Sequence, residues 1–159
     1  MYNIQPENTW ATRHRIEKND IPIGQIRTKG WSGNYVIDLG EELISLKNRK
    51  WYSSDMYIYR GDATIGTATN ISFSFKPEIQ IEYNNRLFRI KSTDMWSKQY
   101  EILLDHGNDS KVIGKVTRTG TFKVGYLIEL PEFVEDWFAG VIAAMLIKKA
   151  HTNAAVGAS

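Results

Sequence analysis

From Trp10 to Leu130 the chain runs as short extended segments in which apolar and polar residues alternate. The alternation is clearest in Ile79-Gln80-Ile81-Glu82-Tyr83, and it recurs in Ser72–Phe75, Leu87–Lys91 and Tyr100–Leu104. A period of two belongs to a strand that buries one face. Turn residues separate the segments. Asn84-Asn85 suits a two-residue type I′ turn, because Asn tolerates the positive φ that both positions demand. Arg60-Gly61-Asp62 predicts a second tight turn, and Asp105–Ser110 a longer polar loop. Strands are expected near Trp10–Arg15, Ile21–Arg27, Tyr35–Leu39, Glu42–Leu46, Met56–Arg60 and Thr64–Thr69. Six more are expected near Ser72–Phe75, Ile79–Tyr83, Arg86–Lys91, Gln99–Leu104, Val112–Arg118 and Gly125–Leu130. With no helical period between them, they predict an antiparallel barrel or sandwich.

A weak repeat runs through this region. Ile23-Gly24-Gln25-Ile26, Ile65-Gly66-Thr67-Ala68 and Ile113-Gly114-Lys115-Val116 share an Ile-Gly-x-apolar pattern. In the second and third, a Trp, a loop and an aromatic strand come before it. Glycine inside a strand marks a bulge or a close backbone approach, as at a barrel corner.

The last segment breaks the pattern. Pro131 and the carboxylates Glu132, Glu135 and Asp136 open a helix, and Lys148, Lys149 and His151 follow where its negative end should lie. Between them Trp137–Ile147 is apolar on every face. Such a helix must be buried all round, and no second helix is predicted to cover it, so its place is inside the β body. The run is about half of the roughly 20 residues that a membrane span needs. The expected fold is a twelve-stranded closed antiparallel barrel enclosing a helix from about Glu132 to Ala150. It forms one domain over residues 1–159, with a flexible tail from about 151.

Composition narrows the function without naming it. The chain has 159 residues and no Cys, which removes thiol chemistry, Cys-ligated zinc and disulfides. Twenty basic against 18 acidic residues give a net charge of +2, too mild by itself to imply nucleic acid or an anionic membrane. No basic, apolar leader opens the sequence, so a cytoplasmic location, peripheral to membrane, is expected. Nucleophile elbows, phosphate loops and H-E-x-x-H are absent. His14, His106 and His151 are scattered and expected to be solvated. The Asp105–Ser110 run lacks the distal Glu of a calcium loop. No enzyme, metal or cofactor is therefore expected. The most suggestive segment is Lys47-Asn48-Arg49-Lys50-Trp51-Tyr52, in which cations beside amphipathic aromatics could meet a phosphorylated headgroup. Lys47, Arg49, Lys50 and Trp51 are the candidate contacts, and Arg86, Arg89 and Lys91 could form a second cluster. Trp10, Trp31, Trp51, Trp96 and Trp137 are expected mainly as core residues.

The strand Tyr100–Ile102, the Ile113–Val116 strand, Tyr126-Leu127-Ile128 and the closing Trp137–Ile147 helix resemble the tubby C-terminal-like superfamily. Its small LURP-one-related and scramblase-like members are the nearest in pattern. The resemblance covers roughly Trp10 to Ala150 and implies a barrel of about twelve strands around a buried helix. It also implies a non-catalytic binding or regulatory domain that recognises either anionic phospholipid headgroups or a protein partner. The alternative it carries is a membrane-active protein that inserts its C-terminal helix into lipid. A lipocalin-like carrier would need the lumen that the helix is expected to fill.

Overall fold

The computed structural model describes the chain except residues 9, 30–32, 51–54, 72–77, 95, 97, 122 and 159, and the side chains of 152–158. The first six strands are β1 (Tyr2–Pro6), β2 (Arg13–Lys18), β3 (Ile21–Lys29), β4 (Asn34–Asp38), β5 (Leu43–Asn48) and β6 (Asp55–Arg60). They continue as β7 (Ala63–Ile71), β8 (Glu78–Tyr83), β9 (Arg86–Ser92), β10 (Gln99–His106), β11 (Asp109–Thr119) and β12 (Gly125–Glu129). Each pairs antiparallel with its chain neighbours, and β1 pairs with β12, so the sheet closes on itself. The helix α1 (Asp136–Ala158) follows β12.

Eleven of these strands lie at or beside expected positions. The expected Ser72–Phe75 strand falls outside the described residues. The pattern missed β1, whose inward residues Tyr2 and Ile4 are buried. The first expected strand also shifts, from Trp10–Arg15 to Arg13–Lys18, because a second two-residue turn anchors it. Asn19 and Asp20 both have positive φ (51° and 68°), as do Asn84 and Asn85 (54° and 58°). Both are type I′ turns between paired strands. The predicted loop at Asp105–Ser110 is shorter than expected, because β10 and β11 pair out to His106 opposite Asp109 and leave only Gly107-Asn108 to turn.

The Ile-Gly repeat marks three equivalent corners. Ile16, Ile58 and Ile102 stand opposite Gly24, Gly66 and Gly114, and at each site the register then slips by one residue. Ile23, Ile65 and Ile113 are the extra residues of these bulges. The corner bends so sharply that a Cβ on the glycine would meet the carbonyl oxygen of the next strand. The oxygens are those of Asp38 (2.1 Å), Glu82 (2.3 Å) and Glu129 (2.0 Å). The barrel thus divides into three four-stranded units: β2–β5, β6–β9, and β10–β12 completed by β1. The connection that joins one unit to the next is closed each time by the same backbone bond. Glu7 N–H donates to Arg13 O (2.9 Å), Arg49 to Asp55 (3.0 Å) and Thr93 to Gln99 (2.9 Å).

Inward residues from the strands and all of Trp137–Ile147 make one buried core. The helix is therefore the filling of the barrel. It starts at Asp136, four residues later than expected, because Pro131–Glu135 forms a turn: Val134 N–H donates to Pro131 O at 3.1 Å, and Phe138 N–H to Glu135 O at 3.0 Å. It also runs past Ala150 to Ala158, so Lys148, Lys149 and His151 lie within it rather than in its last turn. The Ala-rich sequence after His151 favours that continuation.

Side chains of the wall hold the start of the helix. The Asp136 carboxylate accepts from the Tyr2 hydroxyl and from Lys18 Nζ (2.9 Å). Burial alone would raise the pKa of Asp136, but these two donors hold its carboxyl below the usual range. Glu135 accepts from Tyr83 Oη (3.0 Å), from Arg60 (3.1 Å) and from the Trp137 indole.

A Cβ at Gly140 would lie 2.7 Å from Cγ2 of the buried Ile37. Gly140→Leu and Ala143→Trp are therefore expected to unfold the protein, since a closed wall cannot make room. Gly66→Ala and Gly114→Ala should each cost about 1–3 kcal/mol or more, lowering the melting midpoint by roughly 3–10 °C. Thermal denaturation followed by circular dichroism measures all four, and unchanged midpoints would refute the enclosed helix and the tight corners.

Candidate functional site at the distal mouth of the barrel

Because adjacent strands run antiparallel, successive connections alternate between two poles. The proximal pole, where α1 begins, holds residues 19–20, 39–42, 61–62, 84–85, 107–108 and 130–135. These connections contain Asp20, Glu41, Glu42, Asp62, Glu132 and Glu135 and no Lys or Arg. The distal pole, toward which α1 runs, holds the described residues of the other connections, 7–8, 10–12, 33, 49–50, 93–94, 96, 98, 120–121 and 123–124. These contain Arg49, Lys50, Lys98 and Lys123 against Glu7 and Asp94, together with Trp10 and Trp96. At the proximal pole Phe133 is the only aromatic in a connection. Among the described residues, the connections are thus acidic at one pole and basic, with two tryptophans, at the other.

Two distal loops are built alike. Asn8 Oδ1 accepts the backbone N–H of Thr12 (3.0 Å) and Arg13 (3.4 Å), and Asp94 Oδ1 accepts those of Lys98 (2.9 Å) and Gln99 (3.3 Å). Each staple holds a Trp two residues on outside the barrel: Trp10 is 82% exposed and Trp96 75%. The third inter-unit loop has Tyr52 at the equivalent position in sequence. These two tryptophans are therefore not core residues, because they lie beyond the strand ends while the helix already fills the lumen. Trp137 is fully buried, as expected, and Trp31 and Trp51 lie outside the described residues.

The basic candidates separate. Arg49 and Lys50 are exposed at the distal rim. Lys47 is on the outer wall, with its ammonium 5.1 Å from the Tyr59 ring centroid. Arg86 and Arg89 do not join them, and Lys91 stands in register between Glu78 and Glu101 near the distal end of β9. Arg86 lies against Phe133 near the proximal pole, and Arg89 is held by Glu78 (3.2 Å) and Asp105 (3.1 Å).

The helix brings Lys148, Lys149 and His151 to the mouth, beside residues with which the sequence pattern had not grouped them. Lys148 Nζ donates to Asn48 Oδ1 at 2.6 Å, and burial lowers its proton affinity, which Asp55 partly restores. Lys149 Nζ is buried without a hydrogen-bond acceptor, 5.8 Å from the Tyr100 ring centroid, and burial lowers its pKa to about 8. His14 is only 3% exposed, so the expectation that all three histidines are solvated fails for it. Its side chain points inward from β2, where burial and then His151 lower its pKa to about 4. The signal that could have found this grouping is parity: counting strands sends every second loop to the same pole.

Among the described residues no helix is long and apolar enough to cross a membrane, and no group of three or more His, Asp or Glu could hold a metal. Compared with protein-family models, characterised proteins and solved structures, the chain matches none.

Two pH effects follow from these burials. The folded state resists protonating His14 until about pH 4, whereas the unfolded chain takes the proton near 6.5. Stability should therefore fall by something on the order of 2–3 kcal/mol from this group as pH drops through that window. His14→Met should flatten that part of the pH–stability curve in urea titrations. Lys149 acts with the same sign in an alkaline window. Lys149→Met should raise the melting midpoint at pH 7, and the gain should shrink as pH rises from about 8 toward 10.5.

Proposed function

We propose that the protein is a non-catalytic binding domain that docks its distal pole on anionic phospholipid surfaces. The observation that carries this reading is the pair of exposed tryptophans, Trp10 and Trp96, held by matching loop staples among the cations of one pole. Indole rings favour the membrane interface, and each Lys or Arg near an anionic surface contributes about 1 kcal/mol. Four rim cations with two tryptophans therefore support reversible attachment of roughly micromolar to millimolar strength. The twelve-stranded barrel around a C-terminal helix also supports the resemblance to the tubby C-terminal-like superfamily, which suggests the same class of role.

Insertion of the apolar helix into lipid is the weaker reading. Trp137–Ile147 fills the lumen, so withdrawing it would leave twelve strands around a void. A protein partner at the same pole is the other outcome that the test separates.

Co-sedimentation with vesicles should show binding to phosphatidylserine-containing but not to neutral bilayers, with loss in about 0.5 M salt, where screening shortens to a few ångströms. Arg49→Glu with Lys98→Glu should abolish it, and Trp10→Ala with Trp96→Ala should weaken it several-fold. Lys47→Ala, on the outer wall, should leave it almost unchanged. No binding to any vesicle would remove the lipid reading and direct the search to a protein partner at the distal pole.

A further inference from the structure

Beside the end of the buried part of α1, the distal mouth opens into a recess of about 300 Å³. His14 from β2, Arg118 from β11, Lys123 from the β11–β12 connection and His151 from α1 line it, over a floor that includes Tyr126 and Ile147. No carboxylate is among its lining residues. Arg118 points inward on the same face of β11 as the buried Val116, and it pairs in register with Tyr126. Neither Arg118 nor Lys123 forms an ion pair with a described residue.

The threefold repeat shows that this chemistry is not what the fold itself requires. Counting from the corner glycines, the position of Arg118 is occupied by Thr28 and Asn70 in the other two units. Counting from the corner isoleucines, the position of His14 is occupied by Met56 and Tyr100. The barrel closes equally well with neutral residues at both. Arg118 and His14 therefore break the repeat at one place, and that place is a recess.

We propose that this recess is a binding site for a phosphomonoester, a phosphate carrying a small organic group. A guanidinium fork matches phosphate oxygens in a bidentate manner, and a lysine and two imidazoles supply further donors. The phosphate dianion would neutralise a cluster that has no acid of its own. The volume exceeds that of a phosphate, and the apolar floor suits the organic part. The inference rests on reading the distal pole as the binding end, and it applies equally to a lipid headgroup and to a soluble ester.

The test follows the ring signals of the histidines by NMR while inorganic phosphate and then phenyl phosphate are added to the intact protein. The His14 and His151 signals should shift and saturate, with phenyl phosphate the tighter of the two. Arg118→Thr, which installs a residue the repeat already tolerates, should weaken binding about tenfold or more. Saturable shifts that persist unchanged in Arg118→Thr, or no shifts at 20 mM of either probe, would overturn the site. Vesicles carrying phosphomonoester headgroups then separate the two sources. Selective loss of their binding in Arg118→Thr, with phosphatidylserine binding kept, assigns the site to lipid, and no selective loss assigns it to a soluble ester. Vesicle binding without phosphate shifts would leave the docking pole standing and remove the recess alone.

Discussion

The structure depends on a single requirement: the lumen of a twelve-stranded barrel must be filled. A wall of that circumference encloses more space than its own inward side chains can occupy, and α1 occupies the remainder. Neither part is stable without the other. Outside the barrel Trp137–Ile147 would expose apolar surface on every face, and without it the strands would line a cavity. This mutual need explains why small residues recur along the helix. Gly140 lets the helix approach Ile37 so closely that even a methyl group would have to displace that side chain.

Closure also explains the repeat. A sheet bends into a barrel only where its strands can turn sharply, and the three Ile-Gly bulges put such a corner in every four-stranded unit. The glycine lets the neighbouring carbonyl come in, and the opposing isoleucine fills the inner side of the bend. What the three units share is therefore what the wall requires. What differs among them at equivalent positions is open to another use: at the proximal end Lys18 and Arg60 hold the start of α1, and at the distal mouth His14 and Arg118 replace neutral residues. There the chain keeps His14 buried and leaves Lys149 without an acceptor, two departures from the lowest-energy solution. Perturbed cations at one end of an otherwise well-filled core are where a binding role is expected.

The period of two and the all-apolar helix made the architecture legible, since both report burial directly. The type I′ turn at Asn84-Asn85 was legible for the same reason, through a backbone conformation that few residues accept. The strand Tyr2–Pro6 was not, because five residues ending in proline carry too short an alternation, and its partners are β2 and the distant β12. The site was legible only in part. Arg49 and Lys50 stood out as a run, but Arg118, Lys123, His14 and His151 lie far apart in sequence, and only ring closure brings β1 and β2 against β11 and β12. The exposure of Trp10 and Trp96 escaped composition-based reasoning, which assigns large aromatics to cores. The side-chain staple that turns each one outward is a local hydrogen-bond pattern, visible once the loop ends are fixed.

The charge separation between the poles serves stability and orientation together. A helix carries roughly half a positive charge at its start and half a negative charge at its end. Acidic residues near the start of α1 complement the positive end, and Asp136 and Glu135 also tie it to the wall. At the distal pole the helix contributes the unfavourable sign for an anionic partner. That fraction of a charge is small beside Arg49, Lys50, Lys98 and Lys123 in the connections and Arg118 at the mouth, so the side chains decide the field. In the docking proposed above, a barrel polarised in this way would approach a negative surface with its tryptophans leading and its carboxylates behind. Its helix is then held from the end that never meets the partner, so docking need not disturb the anchor on which the core depends.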